Sequence, residues 1–247
     1  MDFFILAFNT ILYKPLFNAL VLLYQYIPGK DFGIAVIVLT LIIRFLLYPL
    51  MMKSIKSQKI MTELQPKLKE IQNKYKDDKE KQTKEMMELY KKEKFNPLGG
   101  CLPLLLQLPL LIALYRVFWK GLSEGSMEKL YSFVPNPGVI DPMFLGIMNL
   151  SESNFILAII AGIAQFFQTK MMMGQNKKDD NKGQFASMMQ KQMLYFFPII
   201  TVVILLRMPA AIGLYWIVTA LFSIWQQKIV FGKKDEENKV SAPPVTS

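Results

Sequence analysis

The chain has 247 residues, 52% of them hydrophobic, with 29 basic and 19 acidic side chains and a formal net charge of +10. Its mean hydropathy is positive, which fits a polytopic membrane protein and disfavours a soluble domain. Histidine is absent and Cys101 is the single cysteine, so His-based nucleophilic catalysis, HExxH zinc sites and an intrachain disulfide are excluded.

No A-x-A-like site follows the first apolar stretch, and no cysteine lies near the N-terminus, so no cleaved signal is expected. Residues 3–27 are apolar but carry Asn9, Lys14, Pro15 and Asn18. At 100° per residue Lys14, Asn18 and Gln25 share one face. That pattern predicts an amphipathic helix lying in the membrane interface over residues 1–29, with a further spanning helix as the alternative. Pro28-Gly29-Lys30-Asp31 makes a turn. Phe32–Met52 is the first expected span, about one bilayer long, with Arg44 as its only charge.

Residues 53–95 hold 13 lysines and 8 acidic residues. Met61, Leu64, Leu68, Ile71 and Tyr75 repeat in a 3-4-3-4 pattern, the seam of a coiled coil. Lys76-Asp77-Asp78-Lys79 makes a polar turn, and a second helix carries Met86, Met87, Leu89 and Tyr90. The segment is expected to be an antiparallel helical hairpin projecting from the membrane.

Asn96-Pro97 opens the second span, Leu98–Trp119. Residues 120–153 are loop-like, and Met143–Leu150 is too short to span. Asn154–Met173 is the third span, followed by the polar loop 174–192. Met193–Leu206 and Met208–Gln227 are the fourth and fifth, separated by a tight turn at Arg207-Met208-Pro209; one long helix is the alternative. The expected fold class is therefore an all-α polytopic membrane protein. It has a core over 30–231 with the hairpin inserted, and a disordered tail over 232–247.

Loop 53–94, loop 174–192 and the tail from Lys228 hold 13, 4 and 4 lysines, or 21 of the 29 basic residues. These segments are expected in the cytoplasm. Five spans then place the N-terminus outside and the C-terminus inside. The charges lie between apolar stretches rather than along one binding face, so direct nucleic-acid recognition is not expected.

Polar residues recur at helical spacing inside the spans. Span one has Thr40, Arg44 and Tyr48; span two has Gly100, Pro103 and Gln107; span three has Gln165, Gln168 and Thr169; span five has Tyr215, Thr219, Ser223 and Gln226. Facing one another, they would line a hydrophilic chamber whose charge is Arg44. Singly, such Gln, Thr and Ser residues also serve to join helices. A guanidinium stays charged at every accessible pH and costs from about 2.5 to more than 10 kcal/mol at bilayer depth. No acidic residue within a span can pair with it. Arg116 and Lys170 lie near span ends and can reach the interface. Trp119, Trp216 and Trp225 suit interfacial anchoring, although Trp216 also suits the chamber lining.

A chamber with an unpaired arginine attracts anions. Its guest is either a small anion in a channel or carrier, or the acidic flank of a polypeptide in passage. The basic hairpin favours the polypeptide, because a solute carrier has little need of it. An intramembrane enzyme is disfavoured, with neither histidine nor an acidic pair in the spans.

Asn96-Pro97-Leu98-Gly99-Gly100-Cys101-Leu102-Pro103, continuing through Gln107-Leu108-Pro109, resembles the second-span signature of the YidC/Oxa/Alb membrane protein insertases. Leu41-Ile42-Ile43-Arg44 with Tyr48-Pro49-Leu50 resembles their first span, and Tyr195-Phe196-Phe197-Pro198 and Gly213-Leu214-Tyr215-Trp216 their last two. The resemblance runs over roughly residues 10–230. It implies a compact bacterial cell-membrane member that inserts nascent membrane proteins and helps them fold, alone or beside the Sec translocon, with ribosome-borne chains as substrates. It further implies a groove open to cytoplasm and lipid, with Arg44 as the groove charge and Tyr215 and Trp216 on the substrate slide. Thr40, Tyr48, Gln107, Gln165 and Thr219 are the other expected groove residues. No cofactor or metal is expected, and one copy is expected to suffice.

Overall fold

The computed structural model describes residues 2–96, 99, 102–120, 124–172 and 192–240. Pro97, Leu98, Gly100 and Cys101 of the span-two motif, loop residues 174–191 and tail residues 241–247 lie outside the described residues.

The chain is built from nine α-helices among the described residues: α1 Asp2–Phe8, α2 Lys14–Tyr26, α3 Phe32–Leu46, α4 Tyr48–Lys74, α5 Lys79–Lys92, α6 Leu102–Lys120, α7 Phe155–Met172, α8 Phe197–Leu205 and α9 Ala210–Val240. A π-helical turn, Asn9–Tyr13, joins α1 to α2, and a second, Gln192–Phe196, leads into α8.

Two continuous helices are long and apolar enough to cross a membrane, Phe3–Tyr26 and Phe155–Met172; the bent pair Phe32–Leu46 and Tyr48–Lys74 would add a third. Leu105–Trp119 and Leu194–Leu205 are shorter apolar helices. Among the described residues, length and composition thus identify the third of the five expected spans and, if the bent pair counts as one, the first; Phe3–Tyr26 instead falls on the segment expected to lie in the interface, for which a spanning helix is the alternative.

The first expected span is shorter than its apolar run. The chain bends by 67° between α3 and α4, with Leu47 as the hinge. Pro49 sits in the first turn of α4 and cannot donate to the Phe45 carbonyl, so the helix cannot continue straight. The helix that carries the first arm of the expected hairpin therefore begins at Tyr48, not at residue 53. At the other end, α9 runs on to Val240, into the tail expected to be disordered.

Helix α9 lies at the centre, packed against α7 and α3, while α8 packs on the outer side of α7 and α2 lies against α3 and α6. One apolar core joins them, including Phe17, Phe32, Leu114, Phe118, Ala161 and Ile212. Chain economy explains the break before α9. Pro209 ends the turn, and the buried first-turn amides of Ala210 and Ala211 donate to the carbonyls of Glu152 (2.7 Å) and Leu150 (3.1 Å). The helix N-terminus is thus satisfied by the preceding loop. The tight turn expected at 207–209 is present, and one long helix is excluded.

Helices α4 and α5 form the expected hairpin, closed over Leu64, Leu68 and Phe95 with Met61, Met86, Leu89 and Tyr90. Of the expected apolar positions, Met87 points outward instead, 49% exposed. Asp78 caps α5 by accepting from the Lys81 amide at 3.0 Å. Lys67 pairs with Glu93 at 2.6 Å, and this neighbour holds the Glu93 carboxyl below the usual carboxylate range. The hairpin's root is tied to the bundle where Lys59 Nζ donates to the Val230 carbonyl at 2.9 Å.

The polar face of the N-terminal helix meets protein. Asn18, 2% exposed, donates to the Lys14 and Lys129 carbonyls (2.8 and 3.2 Å) and accepts from the Tyr131 amide (2.7 Å). Gln25 donates to the Pro135 carbonyl, and the Tyr24 hydroxyl accepts from the Asp141 amide. The polar positions Asn18 and Gln25 therefore dock the 124–141 loop, Asn18 buried beneath it and Gln25 at its edge.

Residues 143–149 depart from the all-α expectation. Met143–Phe144 and Met148–Asn149 pair as a two-stranded antiparallel ribbon, turned by Leu145 and Gly146 at positive φ. Asp31 grips it: one carboxylate oxygen caps α3 at the Ile34 amide (2.8 Å), and the other accepts from the Leu145 amide (2.5 Å). Gly33 makes this approach possible, since a Cβ there would lie 2.1 Å from the Phe144 ring. Gly33→Ala is expected to push the ribbon off α3 and destabilise the protein by about 1–3 kcal/mol, read as a lowered unfolding midpoint in detergent. An unchanged midpoint would show that the ribbon yields freely.

Candidate functional site

Arg44 sits on α3 one turn before the Leu47 hinge and is 5% exposed. One of its terminal nitrogens donates to Gln107 Oε1 of α6 at 3.3 Å. Gln107 Nε2 in turn lies 2.7 Å from the hydroxyl of Tyr215 on α9, which also lies beside the guanidinium. Three helices are thus joined around one cation. Both hydrogen-bonding groups are neutral, and Arg44 makes no ion pair among the described residues.

The guanidinium is not saturated: its Nε has no hydrogen-bond partner among the described residues. The same is true of Thr219 Oγ1, Gln227 Oε1 and both amide atoms of Gln226, all on α9. Buried donors and acceptors of this kind are ordinarily paired, and each costs about 1–3 kcal/mol when left without a partner. Tyr215, Thr219, Ser223 and Gln226 recur at helical spacing on α9, and all are buried. These four residues thus share one buried face of α9, which runs from the Arg44 network towards the C-terminal half of that helix. Its open valences suit water or a polypeptide's polar groups.

The expected site residues separate into three groups. Arg44, Gln107 and Tyr215 form the network, with Thr40 and Thr219 one helical turn away on α3 and α9. Thr40 is 1% exposed, and its hydroxyl donates back to the Val36 carbonyl at 2.6 Å, so it contributes little polarity to a chamber. Gln165 lies elsewhere, accepting from the indole N–H of Trp216 and bridging α7 to α9. Tyr48 lies past the bend that follows Arg44. Beyond the hinge, it packs with Phe222 and Trp225 at ring separations of 6.5 and 6.1 Å. The four-residue spacing from Thr40 through Arg44 assumed a straight helix, and the bend at Leu47 removes that alignment.

Of the two residues expected on a substrate slide, Tyr215 is 1% exposed and belongs to the interior network, while Trp216 is half-buried. Gln168 and Thr169 are half-buried on α7. The side chain of Pro103, with Gly100, lies outside what the structure describes. Gln227 was not singled out from the sequence. It lies beside the stripe rather than on it, and only its burial without an acceptor's partner marks it. Among the described residues, no cluster of three or more His, Cys, Asp or Glu could hold a metal ion.

Residues 22–237 match the family described as "60Kd inner membrane protein". The chain is 36% identical over 203 residues to the membrane protein insertase YidC of Fusobacterium nucleatum, covering 82% of this chain and 87% of that one. It is also 36% identical over 226 residues to the YidC of Oceanobacillus iheyensis, covering 90% and 82%. The insertase of Wolinella succinogenes is 34% identical over 96% of this chain, which spans only 40% of that longer protein. A crystal structure of an active YidC insertase with its first transmembrane domain resolved superimposes with a TM-score of 0.56 at 27% identity. That match covers 89% of this chain and 46% of the solved one.

Proposed function

The chain belongs to the 60Kd inner membrane protein family, that of the YidC insertases, and on that premise we propose that it inserts nascent membrane proteins into a bacterial cell membrane and assists their folding. One observation carries the site-level reading. A buried arginine, held among the described residues by neutral Gln107 and Tyr215 alone, heads a line of buried polar atoms that likewise lack partners among those residues.

In this reading the stripe lines a wet groove open to cytoplasm and lipid. The groove lowers the cost of carrying polar residues partway across the bilayer, and Arg44 draws the acidic flank of the entering segment. The segment's apolar part leaves for lipid beside Trp216, between α7 and α9. The short α8 thins the bilayer locally and shortens the remaining barrier. Five spans, with the N-terminus outside and the hairpin and C-terminus in the cytoplasm, satisfy the lysine distribution. Within that topology the N-terminal helix lies against α3 and α6 at the outer interface. The basic hairpin meets the ribosome or the Sec translocon, and one copy performs the cycle. The relatives are named insertases, which does not favour the anion-carrier alternative.

A photo-crosslinker at Thr219 and at Trp216, challenged with ribosome-stalled chains of a small two-span membrane protein, tests the reading. Crosslinks confined to particular chain lengths are expected. Their absence at every length, with the protein folded in membrane, would refute it.

A further inference from the structure

Helices α7 and α8 leave a groove on the bundle's outer face, about 270 Å³ in volume, whose lining includes Ile159, Ile163 and Phe166 from one side and Tyr195, Ile199 and Val202 from the other. No charged residue lines it. Gly162 in its lining lets the two helices approach closely, for a Cβ there would lie 2.4 Å from Val202 Cγ2. From Ile159 to Phe166 the groove extends roughly 10 Å along α7, at about 1.5 Å per residue.

One end differs from the rest. Lys170 stands one helical turn beyond Phe166, exposed, with its ammonium 5.9 Å from that ring's centroid. Tyr195, whose ring centroid also lies 5.9 Å from that of Phe166, brings a phenol to the same end. Lys170 makes no ion pair among the described residues. A trough lined by uncharged described residues thus ends in a cation that has no ion pair among them, and in a hydroxyl.

We propose that this groove holds one acyl chain of an anionic phospholipid, with the lipid phosphate on Lys170 and the Tyr195 hydroxyl. The match is one of chemistry and position. Hydrocarbon fills the apolar trough, an ammonium binds phosphate as a point charge, and a tyrosine presents an apolar ring with a polar tip at such a boundary. A zwitterionic lipid fills the trough equally well but brings a choline or ethanolamine cation to Lys170, so headgroup charge selects the occupant. The inference needs only that the chain lies in a bilayer and does not depend on insertion activity.

The test is native mass spectrometry of the full chain released from micelles containing equal phosphatidylglycerol and phosphatidylcholine with identical acyl chains. The wild type is expected to retain one phosphatidylglycerol preferentially. Lys170→Gln is expected to lower that preference about fivefold, the scale of one lysine at a membrane surface, and Lys170→Arg to keep it. Ile199→Trp, which fills the groove from an exposed position, should release the lipid while Lys170 remains. Lys228→Gln, an exposed lysine elsewhere, should change nothing. Equal retention of the two lipids by the wild type, or an equal loss in Lys170→Gln and Lys228→Gln, would overturn the proposal. So would crosslinks from Ile199 to a nascent chain without lipid preference, which would make the groove a path for the inserting segment.

Discussion

Arg44→Glu is expected to reduce insertion of substrates with acidic translocated flanks by about tenfold or more, and of neutral-flanked substrates far less. The sign follows from reversing the one charge at the head of the polar stripe. Two unit charges 4 Å apart interact by about 4 kcal/mol at an effective dielectric of 20. A wet groove retains only part of that, and about 1.4 kcal/mol already corresponds to tenfold. Gln107 can turn its amide to donate to the new carboxylate, its Oε1 then accepting from the Tyr215 hydroxyl, so the three-helix junction keeps its hydrogen bonds. Arg44→Gln, neutral and similar in reach, should fall between. The measurement is protease protection of paired substrates that differ only in flank charge, in vesicles containing each variant. Equal losses for acidic and neutral flanks would remove charge attraction from the mechanism and leave Arg44 with a structural role.

Deleting residues 60–90 is expected to abolish or severely reduce insertion while leaving the bundle folded. The structure supports the separation. The hairpin closes over its own small cluster of Leu64, Leu68 and Phe95, distinct from the main core. Lys59, the residue tied to Val230, lies outside the deletion and can keep its contact with α9. What the deletion removes is the projecting basic surface and the Lys67–Glu93 pair, not the packing of α3, α7 and α9. Retained thermal stability with lost insertion would assign the hairpin a role in delivery. Full insertion by the shortened chain would exclude it from the cycle.

Much of the bundle was legible because its patterns are local. The 3-4 repeat of Met61, Leu64 and Leu68 needs only helical periodicity to predict a seam, and the seam forms. Pro209 lacks the amide proton a helix interior needs and so favours a break, and the chain turns there. The spacing of Tyr215, Thr219, Ser223 and Gln226 places them on one face of α9, and all four are buried. The ribbon at 143–149 was not legible. Its two strands are two residues each, too short for any periodicity, and it is held by the distant carboxylate of Asp31. The bend between Arg44 and Tyr48 was not legible either, because the apolar run continues through Leu46 and Leu47 while the backbone turns.

The sequence by itself determined that this is a helical membrane protein with an arginine lacking any acid partner in its spans, a basic projecting hairpin and a polar face on its last long helix. Those properties follow from hydropathy, charge count and period, each of which acts over a few residues. Only the tertiary structure decided that Gln107 and Tyr215 are the groups that hold Arg44. It likewise decided that Asn18 and Gln25 bind a loop, and that Trp216 pairs with Gln165. Hydrogen bonds between residues 51 to 113 positions apart depend on how the helices pack. A polar side chain on a helix face carries no local sign of whether its partner will be water, a loop or another helix.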